Sequence, residues 1–306
     1  MPFSLILPRR AKAEASDTID FSYSRPEHSV LRRALIRSIE IVSGQPHLKR
    51  LYREFCDDPR PQESFFDAAV RLLELDIRCE SKSRHAVPAT GPVVFIANHP
   101  FGVLDGIVLC WLASRLRSDL RVLVHTLLCQ PPELRDVFLP IDFGPTDEAR
   151  ATTLRARANA LQWLREGHAI GVFPGGSVAT SLKPFTGAAR DPAWHPFIAK
   201  LIVNARATVV PVYFAGQNSR LFQIASHFNY TARLSLLFRE TARRIGTRVD
   251  VAVGEPIPFD EIAHFENRHD LLLELRRRTL ALASGLGKAV PDFREEFTFP
   301  RHIRFD

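Results

Sequence analysis

The sequence predicts an α/β protein: a single domain with a largely parallel, twisted sheet flanked by helices, preceded by an N-terminal amphipathic helical segment. One observation is that short apolar runs rich in β-branched residues alternate with helical stretches from about residue 76 onward, as in parallel sheets whose strands are joined by helices. A second is that no linker or internal repeat divides the chain, whose 306 residues are enough for one large core.

Three parts of the chain are expected. Residues 1–28 form a flexible arm, residues 29–75 a basic amphipathic helical lead, and residues 76–306 the α/β domain, with its core motifs between residues 91 and 220. Strands are predicted at Asp76 to Cys79, Val93 to Ala97, Arg121 to Thr126, Ala169 to Phe173, Thr208 to Phe214 and Val249 to Val253. Helices are predicted at Ile107 to Leu116, Ala149 to Arg165, Trp194 to Ala205, Leu234 to Ile245 and Leu271 to Ser284.

The helical lead separates apolar from basic side chains. In its first helix, Leu35 and Ile39 share one face and Arg33 lies largely on the other. Two further helices are predicted through Leu48 to Phe55 and through Phe65 to Leu73. The apolar faces either pack on the sheet, with the arginines in solvent, or lie on an anionic membrane surface.

Composition limits the classes of partner. The formal net charge of +7 indicates anionic partners, but no basic stripe is interleaved with aromatic residues, which disfavours nucleic acid. No apolar run reaches 18 residues, so a spanning helix is not expected. The four cysteines show no C-x-x-C spacing, which predicts reduced thiols, no metal site and a cytoplasmic location.

The first candidate site lies in the stretch GPVVFIANHPFGVLD. The predicted strand ends at Asn98 and His99, and Pro100 keeps His99 in extended backbone. Asp105 follows at the expected start of a helix, which it is expected to cap. A histidine and a carboxylate thus share one strand-to-helix loop, where open α/β sheets bind ligands. They form either a general base with its orienting carboxylate or a loop histidine bonded to a helix cap.

The second candidate site is the segment Phe173, Pro174, Gly175, Gly176 and Ser177, which follows a predicted strand. Paired glycines let backbone N–H groups approach an oxyanion or a phosphate. They also make ordinary tight turns. A third interpretation is a serine esterase or lipase with Ser177 as nucleophile, because the segment differs from the G-x-S-x-G elbow at its last position.

The third candidate site follows the predicted strand Thr208 to Phe214. Gln217, Asn218 and Arg220 are delivered to the same edge of the sheet as the other two loops, either as binding groups or as ordinary turn residues. Three strands that end in polar or glycine-rich loops at one edge predict a pocket there.

These blocks, in this order, resemble the lysophospholipid acyltransferase superfamily, the relatives of 1-acylglycerol-3-phosphate acyltransferase. The resemblance rests on ANH with a following Asp, then FPGG, then VVPVYF, and covers roughly residues 80 to 255. The first block has the spacing H-x5-D instead of H-x4-D. With the later GQNSR and DPAW segments, this longer form is similar to a bacterial branch called hemolysin-like acyltransferases, some of which act in ornithine-lipid synthesis.

The resemblance implies an O-acyltransferase on the inner face of the cell membrane. His99 would deprotonate the hydroxyl of a lyso-lipid acceptor, and Asp105 would orient His99. The acyl donor would be a thioester of coenzyme A or acyl carrier protein, used as a co-substrate, with no other cofactor and no metal. The implied substrate-binding residues are Asn98, Phe173, Pro174, Gly175, Gly176, Ser177, Asn218 and Arg220.

Two departures from the family pattern concern the acceptor. The family block FPEGTRS has a Glu where this chain has Gly175 and an Arg where it has Val178, and the arginine of the family's second block is matched only loosely by Arg150 or Arg155. The resemblance associates the missing charges with a phosphate-bearing acceptor, so another head group is expected. A catalytically silent, lipid-binding member of the fold is the remaining alternative.

Overall fold

A seven-stranded sheet forms the centre of the protein in the computed structural model, which describes residues 44–58, 60, 63–81, 86–300 and 302–303. The strands of this sheet are β1 (Asp76–Ser81), β2 (Val93–Ala97), β3 (Leu120–His125), β4 (Phe138–Ile141), β5 (Ala169–Val172), β8 (Thr208–Phe214) and β9 (Arg248–Val253). Their order is β1-β9-β8-β2-β5-β3-β4. Every neighbouring pair is parallel except β8 and β9. The predicted largely parallel sheet is therefore confirmed.

Helices cover both faces of the sheet. They are α1 (Gln45–Asp57), α2 (Phe65–Leu72), α3 (Val103–Ser114), α4 (Asp147–Arg165), α5 (Pro196–Ala205), α6 (Arg220–Phe228), α7 (Tyr230–Ala242), α8 (Phe259–Ile262) and α9 (Arg268–Ala281). A short hairpin of β6 (Thr180–Ser181) and β7 (Ala189–Arg190) lies outside the main sheet. In the described part of the chain, no helix is both long and apolar enough to span a bilayer.

The alternation of side chains along β2 divides the core into two layers. Val93 and Phe95 pack with α3 on one face, while Val94 and Ile96 pack with α4, α5 and α9 on the other, as the twofold period of a strand requires. All five residues of β2 are buried. The continuous apolar run that predicted this strand is explained by its central position, where both faces are covered.

The described part of the helical lead packs on the α/β core. Tyr52, Phe55 and Cys56 of α1 bury themselves against Ala68 of α2, while α2 contacts α3 and α1 contacts α7. The apolar faces of α1 and α2 therefore pack on the protein core, the first of the two alternatives given for the helical lead. The arm and the first helix of the lead, residues 1–43, lie outside the described residues.

Five elements were not predicted, namely β4, β6, β7, α6 and α8, and the sequence explains two of them. Strand β4 contains Pro140 and lies at the edge of the sheet, the position where a strand tolerates proline. Helix α6 begins in the segment interpreted as a loop, because the hydroxyl of Ser219 accepts the N–H of Phe222 and caps the helix. All four cysteines are free thiols.

Candidate active site

The loop between β2 and α3 is tied to the neighbouring strand β8. The amide nitrogen of Asn98 donates to the carbonyl of Phe214 at 2.9 Å, and its oxygen accepts the N–H of the same residue at 2.7 Å. The structure shows the side chain of Asn98, a predicted substrate-binding residue, paired with the end of β8. This pairing fixes the residue that follows, His99, at the carboxyl edge of the sheet.

His99 and Asp105 are brought together on this loop. His99 Nδ1 lies 3.0 Å from Asp105 Oδ1, a close contact that is not aligned as a hydrogen bond. Asp105 is fully buried in the first turn of α3, and its Oδ2 accepts the N–H of Phe101 at 2.8 Å. The N-cap of the helix is Gly102. Asp105 lies inside the first turn and bonds the backbone of the preceding loop, so the prediction that it caps the helix was wrong.

The imidazole ring of His99 is held in one orientation. Its face stacks on Phe173, with ring centroids 4.0 Å apart, and its Nδ1 edge faces Asp105. The side chain is 17 % exposed and lines a cavity. Because Nδ1 is turned to the carboxylate, Nε2 is the nitrogen on the far side of the ring, available to a substrate.

A second buried carboxylate, Asp191, positions the backbone of His99. Its Oδ1 accepts the His99 N–H at 3.1 Å, while the His99 carbonyl accepts the N–H of Ala179 at 2.7 Å. Burial raises the pKa of Asp191, opposed by the hydrogen bond from His99 and the charge of Arg276. Asp191 belongs to the DPAW segment, which the sequence identified only through the family resemblance. Nothing in its spacing indicated contact with His99, 92 residues away.

The cavity beside His99 has a volume of about 180 Å³ and opens at the carboxyl ends of the strands. The glycine loop contributes four of its predicted residues to the wall, namely Phe173, Pro174, Gly176 and Ser177. Gly102 and Val103, at the start of α3, also line this cavity. Among the described residues, no cluster of three or more His, Cys, Asp or Glu side chains is arranged to hold a metal ion.

The glycine loop is a tight turn. Gly176 has a φ of +65° and donates its N–H to the Phe173 carbonyl at 2.9 Å, so its backbone favours glycine. Gly175 packs on Pro192 and lies outside the cavity lining; a Cβ at Gly175 would come within 3.3 Å of the proline ring. The turn interpretation thus applies, and the turn also forms one wall of the cavity.

Ser177 does not have the surroundings of a nucleophile elbow. Its hydroxyl accepts a hydrogen bond from Arg233 at 3.1 Å. The chain then continues through Val178 and Ala179 into strand β6 instead of a helix. An elbow requires a sharp strand-to-helix turn.

Two residues of the third candidate site lie away from the cavity. Asn218 is buried and donates its amide N–H to the carbonyl of Phe101 at 3.3 Å. Arg220 is exposed and donates to the carbonyl of Gly187 at 3.1 Å. The structure therefore brings neither side chain to the wall of this cavity, and their substrate-binding role stays a prediction.

A buried arginine that the sequence did not single out lies at the cavity wall. Arg233 projects from α7 and is 1 % exposed. One of its terminal nitrogens donates to Thr180 and Ser226, and the other to Ser177 and the carbonyl of Val178. Its position in an amphipathic helix gave no signal, since arginine there normally faces solvent.

A second cavity, of about 160 Å³, adjoins the first. Its lining is almost entirely apolar and includes Leu48 and Phe55 of α1 and Phe66 of α2. Four residues line both cavities, namely Val103, Gly106, Val124 and Leu128. The two cavities thus meet at the start of α3, next to His99.

Comparison with known proteins places the chain in a family. The family model described as Acyltransferase matches residues 29–287. The chain therefore belongs to this family and is an acyltransferase. The match extends beyond the region that carried the resemblance and includes both helices of the lead described in the structure.

Two curated relatives are lyso-glycine lipid O-acyltransferases. The protein from Phocaeicola vulgatus is 25% identical over 202 residues, which is 64% of this chain and 69% of the relative. The protein from Bacteroides thetaiotaomicron is also 25% identical over 202 residues, 64% of this chain and 71% of the relative. Among solved structures, the 1-acyl-sn-glycerophosphate (LPA) acyltransferase PlsC from Thermotoga maritima is 14% identical with a TM-score of 0.48, covering 93% of this chain and 100% of that one.

Proposed function

We propose that this protein transfers a fatty acyl group from an acyl thioester to the hydroxyl of a lyso-lipid, with His99 as general base and Asp105 as its orienting carboxylate. The observation that carries the proposal is the 3.0 Å contact of His99 Nδ1 with the buried Asp105. His99 lines a cavity that has an apolar extension, which supports access of an acyl thioester to its ring. The thioester is that of coenzyme A or acyl carrier protein.

His99 moves one proton in the reaction. Nε2 accepts the proton of the acceptor hydroxyl as its oxygen attacks the thioester carbonyl. The tetrahedral intermediate then collapses, the C–S bond breaks, and the thiolate takes the proton from the imidazolium. Asp105 stabilises the imidazolium during the step, the role of the carboxylate in a His–Asp pair whose nucleophile is supplied by the substrate.

The N-terminus of α3 supports the charge that develops on the carbonyl oxygen. Gly102 and Val103 line the cavity at this end of the helix. The first turn of a helix has backbone N–H groups without intrahelical partners and carries the positive end of the helix dipole. An oxyanion formed beside His99 would lie near this end.

The apolar cavity accommodates the acyl chain. It begins at Val103 and Gly106, where the cavity beside His99 (the catalytic cavity) ends, and continues between α1, α2 and the sheet. Burial of a methylene contributes about 0.8 kcal/mol, so a cavity of this lining favours long chains. The helical lead therefore has a function in the proposal: α1 and α2 form the far wall.

The acceptor is a lyso-lipid with an amino-acid head group. Both curated relatives are lyso-glycine lipid O-acyltransferases by name. The glycine loop has Gly175 and Val178 in place of the charged residues that the resemblance associates with a phosphate head group. Arg233 places a guanidinium at the wall of the cavity, beside Ser177, where it would attract the carboxylate of such a head group.

The protein is expected to act on the inner face of the cell membrane through a patch formed by the β6–β7 hairpin and α6. Its exposed apolar residues are Leu182 (47%), Phe185 (64%), Leu221 (47%) and Phe228 (59%). Arg220 on α6 donates to Gly187 of the hairpin, which joins the two parts. Exposed apolar side chains with Lys183 and Arg220 beside them suit an anionic lipid surface.

The test is transfer of a labelled acyl group from coenzyme A and from acyl carrier protein to a panel of lyso-lipids. Wild type, His99→Ala and a matched control, His168→Ala, are compared; His168 also pairs with a carboxylate, that of Asp119, at 2.9 Å. We expect transfer to an amino-acid lyso-lipid that is lost in His99→Ala and kept in the control. Equal transfer by wild type and His99→Ala would exclude the dyad. Loss in Ser177→Ala with hydrolysis as the only reaction would favour the esterase, and lipid binding without any turnover the silent member of the fold.

A further inference from the structure

A basic groove of about 380 Å³ lies beside the catalytic cavity, between α4, α5 and the start of α9. Its charged and polar side chains are Arg157, His195, Lys200 and Arg268. The remaining lining residues are apolar, and no Asp or Glu is among them. The groove therefore has a positive potential and suits an anionic ligand.

Arg157 joins the groove to the catalytic cavity, since it lines both. Its guanidinium lies over the ring of Phe197, 4.7 Å from the centroid. The Nε atom is buried and has no hydrogen-bond partner among the described residues. A buried donor without a partner is destabilising, and an anionic oxygen from a ligand would relieve this cost.

His195 presents a hydrogen-bond donor to the same region. Its Nδ1 accepts the backbone N–H of Phe197 at 3.1 Å and caps α5. With Nδ1 as acceptor, the neutral ring carries its proton on Nε2. Burial, followed by the charge of Arg157, lowers the pKa of His195, which favours this neutral form. His195 lines the groove and the catalytic cavity together with Arg157 and Phe197.

The cations of the groove are not neutralised within the described part of the chain. Basic residues nearby do form ion pairs, such as Arg206 with Asp260 at 3.2 Å. Arg157, Lys200 and Arg268 form none with the described carboxylates. Their charge is thus available to a ligand that approaches His99 from this side.

We propose that this groove binds the phosphate of the 4′-phosphopantetheine arm of the acyl donor, an inference that rests on the proposed acyl transfer. The phosphate would contact Arg157 and Lys200, and the arm would pass Phe197 to bring its thioester to His99. Coenzyme A and acyl carrier protein carry the same arm, so the groove serves either donor. Arg268 at the outer end would meet the further phosphates of coenzyme A or the acidic surface of the carrier.

The experiment measures binding of non-transferable thioether analogues, so that it does not depend on turnover. Three ligands are compared: the analogue of acyl-coenzyme A, the analogue attached to carrier protein, and acyl-pantetheine thioether, which lacks the phosphate. The variants are Arg157→Gln and Arg157→Gln with Lys200→Gln. The control is Arg150→Gln on the same helix, an exposed arginine paired with Asp147 at 3.3 Å.

We expect Arg157→Gln to weaken binding of at least one phosphorylated analogue about tenfold, the loss of one charge-assisted contact, and the double variant to weaken it further. Binding of acyl-pantetheine should stay within twofold in every variant, as should binding of all ligands to Arg150→Gln. The analogue that responds identifies the donor. Equal loss for acyl-pantetheine, or no loss in the double variant, would overturn the proposal. A third outcome is that Arg157→Gln weakens binding but the wild-type protein transfers no acyl group. This outcome would refute the proposed reaction and leave the binding groove in place.

Discussion

Asp105→Asn tests the dyad with a change of almost no volume. The Asp105 carboxylate is fully buried, with Oδ2 accepting the N–H of Phe101 at 2.8 Å and Oδ1 3.0 Å from His99 Nδ1. An asparagine can keep the first contact through its carbonyl oxygen. It then presents its NH₂ group to Nδ1, which must accept. The imidazole proton moves to Nε2, and the ring can no longer take a proton from the acceptor hydroxyl.

The expected loss is large and lies in the chemical step. A wrong tautomer in a His–carboxylate pair lowers kcat by about 10⁴-fold, or about 5.4 kcal/mol of transition-state stabilisation. The full burial of Asp105 excludes bulk water from the position of its carboxylate. The assay is steady-state transfer with both substrates varied, and KM for the donor should change little. Thermal unfolding checks that the variant folds.

The matched control is Asp119→Asn, at the amino edge of the sheet. Asp119 Oδ2 is 2.9 Å from His168 Nδ1 and 2.7 Å from Arg117. Burial raises the pKa of Asp119, but its hydrogen bonds with Arg117 and His168 outweigh this and lower it overall. The control should lose stability and keep transfer within about twofold. An Asp105→Asn enzyme that is folded and retains more than a tenth of wild-type kcat would refute the reasoning.

Three further changes test the apolar cavity, the exposed patch formed by the β6–β7 hairpin and α6, and the ion pairs of Glu274. Gly106→Phe should lower transfer of long acyl chains and spare short ones, because a Cβ at this position meets nothing within 4 Å and lies where the two cavities meet. Each methylene that the new side chain excludes should cost about 0.8 kcal/mol of binding free energy. Gly106→Ala is the control, and an unchanged chain-length profile would contradict the prediction. Phe185→Ser removes a side chain that is 64% exposed and should weaken binding to anionic vesicles about tenfold, whereas unaltered co-sedimentation would exclude the patch. Hydrogen bonds with Arg277 and Arg278 lower the pKa of Glu274 to about 2 in the folded protein. The Glu274 carboxylate therefore stabilises the fold fully at pH values above the pKa that it has in the unfolded chain, and this contribution is lost as the pH falls towards 2. Glu274→Gln should therefore lower the free energy of unfolding at pH 7 by about 1 to 2 kcal/mol after solvent screening, with no difference near pH 2, and an equal difference at both pH values in denaturant titrations would refute this.

The central strands were predictable because they are buried on both faces. The apolar runs of β2 and β8 gave the bounds Val93–Ala97 and Thr208–Phe214, which the structure confirms. The edge strand β4 has four residues with a proline and is mostly half-buried, so it lacks the continuous apolar run by which the others were recognised. Helix α3 begins at Val103, four residues before the prediction, because Gly102 precedes it at a φ of +88°.

The histidine and carboxylate were found because they are six residues apart on one loop. Asp191 and Arg157 were not, since their contacts with the site come from tertiary structure. The hydrogen bond from His99 to Asp191 spans 92 residues, and Arg157 is one of several arginines in α4. Only the packing of α4 against α5 turns Arg157 towards Phe197 and the cavity. Side chains placed by helix packing leave no local spacing to detect.

The departure at Gly175 has a structural explanation. A Cβ at this position would lie 3.3 Å from the ring of Pro192, 3.4 Å from its carbonyl oxygen and 3.5 Å from Cβ of Asp191. A larger residue such as glutamate would push this segment away, and Asp191 is the acceptor of the His99 N–H. In this chain the place of the family's glutamate is thus taken by a segment that holds the histidine loop. The absent side chain at position 175 and the contact between Asp191 and His99 are therefore two consequences of one packing arrangement.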